Sequence, residues 1–433
     1  MARRTAHHLT TSRPPSAGSA RRPRRQTSRP VAFGSVVGAL LLLTAAASAP
    51  SPLYGVYQQR WGFSSTTLTL VFAVYAVGLL LALLTVGGLS DHVGRRPLLA
   101  SALIGDAVAM VVFLAADGVG WLVAARVVQG LATGAGLGVI GAYLVDLQPP
   151  SDTTLGALLN SVGSSLGLAL GSLGAGLVLQ LVPSQPTTWV FALLAAVLVL
   201  GAAAVPALPE TVGRRPGALA SLRPRVAVPP QARAAFTRAL PALLATWAMG
   251  GLYLSLGPSL AAGVLHQRNH LVGGLVVTTL MVAAGVASAA VRSARPDRMM
   301  TGGASVLAVG TTATLVALDA GSLAGFFAGS ALAGLGFGAT FLGVMRSLST
   351  LALPHERAEL FASLFVVSYL AFSLPAVAAG IEVERFGLRA TATAYGAGIV
   401  ALAATAAVLG WRARHTTPAR TADLTPHSCA VRA

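Results

Sequence analysis

The chain alternates between long apolar stretches and short polar segments. A membrane-spanning helix needs about 20 consecutive apolar residues, because the hydrocarbon core of a bilayer is about 30 Å thick. Twelve stretches reach this length: one that begins at Val31, and others near 66–86, 98–116, 120–145, 155–182, 188–208, 239–265, 270–291, 299–318, 321–346, 358–381 and 388–410. The pattern predicts an all-α membrane protein with twelve transmembrane helices.

The first stretch also has features of a secretory signal. Arginine pairs at 21–25 precede the apolar run from Val31, and the run reaches a small-residue sequence at 47–49, as in a cleavable signal peptide. The run continues through two prolines to Tyr57, however, and its removal would leave an odd number of helices. We interpret it as the first spanning helix, and cleavage is the alternative.

The longest polar break divides the stretches into two groups of six. It covers residues 209–238 and contains five prolines and six arginines. We therefore predict a six-helix bundle at 31–208, a cytoplasmic linker at 209–238 and a second bundle at 239–411. The tails at 1–30 and 412–433 are predicted to be cytoplasmic, and the first is predicted to be disordered because it lacks an apolar period.

The two predicted bundles carry matching motifs at a nearly constant spacing. Glycines of the fourth stretch recur 200 residues later, and a Gln-Arg pair at the end of the first stretch recurs 208 residues later. The matched positions are Gly134, Gly136 and Gly138 with Gly334, Gly336 and Gly338, and Gln59-Arg60 with Gln267-Arg268. Such a parallel repeat predicts two pseudo-symmetric halves.

Composition narrows the class of protein. The chain is 55% hydrophobic and 10% charged, with a mean hydropathy of +0.73, whereas a soluble domain has about a quarter charged residues. The net charge of +17 could indicate nucleic-acid binding. All 30 basic residues are arginines scattered through loops and tails, however. We therefore predict a lipid bilayer as the environment and no nucleic-acid partner.

The arginines are distributed unequally between the two membrane faces. With the N-terminus in the cytoplasm, 25 arginines lie in inner segments and four in outer loops. Because positive charge accumulates on cytoplasmic loops, we predict a multi-pass protein of the cytoplasmic (inner) membrane with both termini in the cytoplasm. Trp61, Trp121 and Trp189 then lie at outer helix ends, where interfacial aromatic residues are expected.

The polar turn at 87–97 carries the most specific motif. Its sequence fits the pattern G-x-L-S-D-x-x-G-R-R. Polar and doubly basic, it cannot lie in hydrocarbon, so it is predicted to be a tight loop at one membrane face. The motif resembles the loop between helices 2 and 3 of the major facilitator superfamily of transporters.

The resemblance implies that this loop is a latch at the inner face. By analogy, Asp91 would lie at the start of the eleventh helix near Ala358, where the helix dipole favours an anion, and Arg95 would pair with Asp146. The implied latch residues are Gly87, Asp91, Gly94, Arg95, Arg96 and Asp146. The alternative is a set of solvated charges that anchors the loop at the cytoplasmic face.

The fourth stretch contains R-x-x-Q-G-x-x-x-G, from Arg126 to Gly134. This resembles a second superfamily motif that is linked to proton transfer in proton-driven exporters. An arginine inside a spanning helix costs about 2.5–3.5 kcal/mol on insertion scales, so it usually faces a polar cavity or a partner. Arg126 lies five residues after Trp121, so outward snorkelling is the alternative.

The fifth stretch carries Gly163, Gly167 and Gly171 on one helical face. They resemble the glycine-rich G-x-x-x-G-P-x-x-G motif of drug antiporters, although Ser172 stands where that motif has proline. Small residues at this spacing also serve ordinary close packing of helices, and so do Gly130 and Gly134. Both interpretations remain open for this stretch.

Acidic residues are rare inside the stretches. Asp106 lies about 13 Å beyond Pro97 along the third helix at 1.5 Å per residue. An intramembrane carboxyl group is a candidate proton carrier, and a structural partner or snorkelling is the alternative. No histidine lies in mid-membrane and the chain has one cysteine, Cys429. We therefore predict no metal site and no cofactor. Because the polar positions contain no catalytic constellation, we also predict that the protein is not an enzyme.

Aromatic and amide side chains on the helices that line the central path in the resembling fold are candidates for substrate contact. They are Tyr54, Tyr75, Gln129, Asn160, Trp247, Tyr253 and Tyr369. Aromatic walls with few charges suit apolar, neutral or cationic organic compounds. Each of these side chains could equally serve packing.

These observations predict a secondary active transporter that works by alternating access and is nearest in its motifs to bacterial drug/proton antiporters. We expect a monomer that exports small organic molecules and draws energy from a proton gradient. Uptake of a metabolite or facilitated diffusion is the alternative, because the first and seventh stretches lack an acidic residue. A membrane sensor or scaffold without transport is the alternative from another class.

Overall fold

The computed structural model describes residues 27–182, 184–267, 269–353 and 356–416. The predicted N-terminal tail, except for its last four residues, and most of the C-terminal tail lie outside the described residues, as does Arg268. The described part is helical and contains no strand. The prediction of an all-α membrane fold is confirmed.

The described residues form sixteen α-helices, eight of them before residue 209 and eight after it. They are α1 (Arg29–Ser48), α2 (Pro50–Trp61), α3 (Ser65–Val86), α4 (Ser90–Val93), α5 (Arg95–Leu114), α6 (Val119–Leu147), α7 (Leu155–Leu181), α8 (Pro186–Ala204), α9 (Ala218–Ser221), α10 (Pro230–Ser255), α11 (Gly257–Gly263), α12 (His270–Ala290), α13 (Pro296–Asp319), α14 (Leu323–Ser349), α15 (Arg357–Phe386) and α16 (Leu388–Thr416).

Eleven of the described helical segments are long and apolar enough to cross a membrane, and the bent pair α10–α11 makes a twelfth. The first segment, α1 with α2, breaks before Pro50, and α10 and α11 meet at 53° just before Pro258. Proline has no backbone N–H and crowds the preceding turn, which explains both breaks. The two prolines are 208 residues apart, the spacing already seen in the Gln-Arg repeat.

The two bundles pack in the same order. In the first, α1 lies on α7, α3 on α6, and α5 on α6 and α8. In the second, α10 lies on α15, α12 on α14, and α13 on α14 and α16. Helix α10 begins at Pro230, inside the segment predicted as linker, because proline suits the first turn of a helix.

The bundles meet along two helix pairs, α7 with α12 and α3 with α15. The 87–97 turn and the start of α1 lie at one end of the molecule, which we name the loop face. The start of α3 and the end of α15 lie at the other end, which we name the opposite face. Large apolar side chains such as Leu170, Leu193 and Leu374 are exposed on the outer surface, as a lipid-facing surface requires.

Candidate functional site

The 87–97 loop is a compact turn at the loop face. Gly87 ends α3 and lies against Gly138 of α6, and residues 90–93 form the single turn α4. Gly94 then has a φ of +102°, and a Cβ there would come within 2.8 Å of the Glu210 carboxylate. A side chain is strained at that φ and would collide, so glycine is required where α5 begins.

Arg95 connects the loop to the end of α6. Its guanidinium lies 2.6 Å from Asp91 and 3.0 Å from Asp146, and it also donates to the Ser90 hydroxyl. The Arg95 side chain is 8% exposed although it carries a charge, which is tolerable because carboxylates and a hydroxyl surround it. The contact expected between Arg95 and Asp146 is present.

Asp91 and Arg96 of the loop make contacts that the resemblance did not imply. The Asp91 side chain is 60% exposed and pairs with Arg95, on its own segment, rather than with the start of α15 near Ala358. Arg96 donates to the backbone carbonyl of Pro206 at the end of the sixth span. The expected position of Asp91 at the start of α15 is therefore wrong for this conformation.

Arg126 is the largest fully buried side chain of the described residues. Its Nε donates to the Tyr54 hydroxyl over 2.6 Å, and one terminal nitrogen donates to the Ala47 carbonyl and the Gln129 side chain. The guanidinium also lies 5.0 Å from the ring centre of Tyr75, within the range of a cation–π interaction. This burial excludes outward snorkelling.

Asp106 of α5 lies close to Arg126 and Gln129. The residue is fully buried, and neither carboxylate oxygen has a hydrogen-bond partner among the described residues. Gln129 and Arg126 are the polar groups close enough to influence it. Snorkelling of Asp106 is excluded by its burial, and the structure gathers both predicted coupling residues at one location inside the first bundle.

The predicted cavity residues fall into separate groups. Tyr54, Tyr75 and Gln129 surround Arg126, whereas the Tyr253 hydroxyl lies 2.6 Å from Ser330 inside the second bundle and packs there. Asn160 is partly buried on α7, and its side-chain oxygen has no partner among the described residues.

Trp247 and Tyr369 belong to an aromatic group between the bundles, which also includes Phe341, Phe365 and Phe372, with Phe72 from the first bundle. The ring centres of Trp247 and Tyr369 are 4.8 Å apart, and so are those of Phe72 and Phe372. The indole N–H of Trp247 is buried and unpartnered within the described part of the chain. We name these six side chains the aromatic group.

The packing glycines allow close contact within the first bundle. A Cβ on Gly167 or Gly171 would overlap α1, and one on Gly163 would come 2.8 Å from Leu40 of the same helix. A Cβ on Gly130 or Gly134 would overlap backbone carbonyl oxygens of α3. These five glycines therefore lie at helix contacts, with α7 against α1 and α6 against α3.

The sequence matches the family model of the Major Facilitator Superfamily over residues 36–371. This match covers most of the chain, and it agrees with the twelve spans and the loop motif. The chain belongs to the major facilitator superfamily. It is a multi-pass membrane protein of a family of transporters, which are not enzymes, and this membership implies a small-molecule substrate.

Two relatives within the superfamily are similar over shorter segments. The chain is 32% identical over 108 residues to the class C tetracycline resistance protein of Escherichia coli, covering 25% of this chain and 27% of that protein. It is 30% identical over 169 residues to major facilitator superfamily domain-containing protein 10 of Bos taurus, covering 36% of each. The matches span about a quarter to a third of these relatives.

Solved structures of the superfamily share the whole fold. The human organic anion transporter MFSD10 (TETRAN) superposes with a TM-score of 0.65 at 19% identity, covering 88% of this chain and 100% of that chain. A bacterial homologue of the human lysosomal transporter Spinster, inward-facing and unoccupied, gives a TM-score of 0.70 at 15% identity and coverages of 90% and 98%.

Glu210 contacts the 87–97 loop, and it was not predicted as a site residue. Its carboxylate accepts from the backbone N–H groups of Arg95 over 2.7 Å and Arg96 over 3.1 Å. These are the first N–H groups of α5, which have no acceptor within the helix. Next to it, the Thr211 hydroxyl donates to Asp146 over 2.7 Å. The Pro-Glu-Thr sequence at 209–211, at the polar end of the sixth span, was the available signal.

Replacing Glu210 by alanine is expected to lower the stability of the transporter by about 0.5–2 kcal/mol, the usual effect of losing a helix cap. Glu210→Gln keeps an acceptor oxygen and is the matched control, with a smaller loss. Thermal unfolding of the two variants in detergent tests this. Equal melting temperatures for wild type and Glu210→Ala would contradict the capping role.

Proposed function

We propose that this transporter exports small organic molecules from the cytoplasm by alternating access, in exchange for protons. The buried pair of ionisable side chains on α5 and α6, Asp106 and Arg126, carries the proposal. Asp106 can bind and release a proton, and Arg126 lies close enough to favour one protonation state over the other. Burial keeps both groups from bulk water, so their electrostatic coupling is strong.

The pair of Asp106 and Arg126 is linked to the second bundle through α1 and α2. Arg126 is bonded to Ala47 in the last turn of α1 and to Tyr54 in α2. The neighbouring Ser51 donates to the Leu254 carbonyl of the second bundle. A change of charge at Asp106 would therefore act, through Arg126, on a segment that contacts the other bundle.

The aromatic group supports a small organic substrate. It lies where the bundles meet and contains no charged residue. The buried indole N–H of Trp247 has no partner among the described residues, so a substrate acceptor could satisfy it. Planar neutral or cationic compounds fit such a surface by stacking. The relatives named for tetracycline resistance and for organic anion transport are consistent with small organic substrates.

We further propose that the loop face is cytoplasmic, with both termini inside, in the cytoplasmic membrane. The excess of arginine at that face supports this orientation. The protein acts as a monomer without a cofactor or nucleic-acid partner. A linker that begins at residue 209 joins the bundle at 31–208 to a second bundle, which starts with α10 at Pro230 and extends to about residue 411.

Reconstituted transporter should accumulate a small organic compound only while a pH gradient is present. In proteoliposomes, Asp106→Asn is expected to lower gradient-driven flux about tenfold or more, as general proton-transfer groups do when removed. Substrate exchange without a gradient should persist. Asp319→Asn, at a carboxylate that is 86% exposed, is the matched control and should be neutral.

Four outcomes would count against the proposal. Full gradient-driven flux in Asp106→Asn would remove the coupling role of that residue. Wild-type flux that does not depend on the pH gradient would favour facilitated diffusion. Proton movement in the same direction as the substrate, instead of against it, would favour uptake. A protein that binds compounds but moves none would favour the sensor or scaffold.

A further inference from the structure

Among the described residues, hydrogen bonds join the two bundles at five places, and each lies between the opposite face and the middle of the helices. They connect Ser51 with Leu254, Thr66 with Glu384, Ala169 with Thr278, Ser172 with Gly274, and Gln180 with His270. Two of the five are helix caps that cross from one bundle to the other, and these two are related to each other by the internal repeat.

The first cap lies where α15 ends and α3 begins. The backbone N–H of Thr66, in the first turn of α3, donates to the Glu384 carboxylate over 3.0 Å. Ser64, the residue before α3, already accepts from the N–H of Thr67. Glu384 thus supplies an acceptor for a neighbouring N–H that the helix itself cannot satisfy, and it comes from the other bundle.

The second cap lies where α7 ends and α12 begins. The backbone N–H of His270 donates to the Gln180 side-chain oxygen over 3.2 Å, while Asn269 caps Leu271 locally. Gln180 and Glu384 are 204 residues apart, and so are Thr66 and His270. The two caps are therefore the same contact made twice, once in each direction between the bundles.

Glycines at the same spacing bring the helices together beside each cap. Gly176 on α7 lies against Gly274 of α12, where an added Cβ would be 3.2 Å from the Gly274 Cα. Gly380 on α15, 204 residues later, lies against Ser65 and Thr69 of α3, with a Cβ distance of 2.9 Å to the Ser65 carbonyl oxygen. The close approach fixes the cap distance, so separation of the helices breaks the cap.

At the loop face, the described residues make no corresponding contact between α3 and α15. Glu356, the residue before α15, makes no side-chain cap to that helix, and Asp91 at the other end of the α3 segment pairs with Arg95 instead. The same two helices are thus capped across the bundles at one end and not at the other. This asymmetry is what a transporter closed at the opposite face requires.

We propose that Glu384 and Gln180 form a paired gate that holds the opposite face closed and must break before that face can open. The inference rests on the alternating-access part of the proposed function and is independent of protons and of the substrate. Breakage at the opposite face frees α3 and α15 to close at the loop face, where Asp91 can then reach the uncapped start of α15. Glu384 and Gln180 hold the helices of the two bundles in position and are not themselves part of the substrate site.

The gate requires an acceptor oxygen and not a negative charge, since Gln180 performs the same task as Glu384. Glu384→Gln should therefore keep the gate, and Glu384→Ala should weaken it. Gln180→Ala should weaken it in the same direction, because its cap is the symmetry mate. Asp91→Ala should act in the opposite direction, because it removes the acceptor that the alternative closure at the loop face needs.

Opening can be followed with a thiol at Thr69, which is fully buried between α3 and α15. The experiment uses the full-length transporter with Cys429→Ser and Thr69→Cys, in lipid nanodiscs, and a charged maleimide as the probe. Glu384→Ala and Gln180→Ala are expected to raise the labelling rate about threefold or more, in the range that loss of a cap gives. Glu384→Gln should label like its parent and Asp91→Ala more slowly.

Unchanged labelling in both alanine variants overturns the gate. Equal acceleration in Glu384→Gln and Glu384→Ala also overturns it, because the charge would then matter and not the cap. Thermal unfolding of each variant separates opening from misfolding, and Gln180→Ala keeps the test decisive if Glu384→Ala does not fold. Labelling that shifts as expected while proteoliposomes show no proton-driven flux supports the gate and refutes proton-coupled export.

Discussion

Arg126→Ala is expected to abolish proton-driven transport and to destabilise the first bundle. The substitution removes three hydrogen bonds, to Tyr54, Ala47 and Gln129, and the cation between the rings of Tyr54 and Tyr75. Polar contacts between membrane helices contribute about 0.6–1.7 kcal/mol each, so the loss is about 2–5 kcal/mol. The same substitution leaves Asp106 without the positive charge beside it.

Transport and unfolding should be measured together for this variant. Arg60→Ala removes an exposed arginine at the opposite face and is the control, with little change in either property. Arg126→Lys keeps the charge but not the planar set of donors, so we expect partial stability and strongly reduced flux. Proton-driven flux in Arg126→Ala at the wild-type level would refute the coupling role of Arg126.

Gly171→Ala is expected to be the most damaging of the glycine substitutions in the fifth span. A Cβ at this position would overlap the Ala45 carbonyl oxygen of α1. The backbone of α1 cannot yield as a flexible side chain would, so α1 and α7 must move apart. Overpacking of this kind costs about 1–3 kcal/mol and occasionally more.

Gly174→Ala on the same helix is the matched control. A Cβ at Gly174 would meet nothing within 4 Å, and alanine favours a helix over glycine by about 1 kcal/mol. We therefore expect Gly174→Ala to be neutral or slightly stabilising in a thermal unfolding assay. Similar melting temperatures for the two variants would show that the α1–α7 contact adapts to a methyl group.

The sequence was sufficient for the spans and for the contacts that a motif defines. Apolar length located the membrane helices, because backbone in hydrocarbon must satisfy its own hydrogen bonds. The four-residue spacing of Gly163, Gly167 and Gly171 indicated one contact face of a helix. The pairing of Arg95 with Asp146 followed from the resemblance, since the loop and the end of α6 lie at the same face.

The sequence was not sufficient where a contact depends on how separate helices are arranged. Glu210 lies 115 residues from Arg95 along the chain, and the Pro-Glu-Thr sequence equally fits a simple helix end. Tyr253 has the expected place along its helix, but rotation of α10 directs its hydroxyl to Ser330. Periodicity identifies a buried face without identifying the neighbour that covers it.

Asp91 illustrates a different limit. An alternating-access transporter has one sequence and at least two stable arrangements, so a residue can have a different partner in each. The motif described the partner of Asp91 in the arrangement closed at the loop face, whereas the structure has Asp91 paired with Arg95. A pattern of residues contains both partners and does not say which arrangement is populated.

The positions of the Arg126 partners along the chain also determine the order in which the helices can assemble. Ala47 and Tyr54 precede Arg126 by 79 and 72 residues, and Asp106 precedes it as well, so the ribosome has synthesised all of them before α6 emerges. An arginine that enters the bilayer alone costs about 2.5–3.5 kcal/mol. We expect α1, α2 and α5 to wait at the insertion site until α6 joins them, and the first bundle to assemble there before the second is translated.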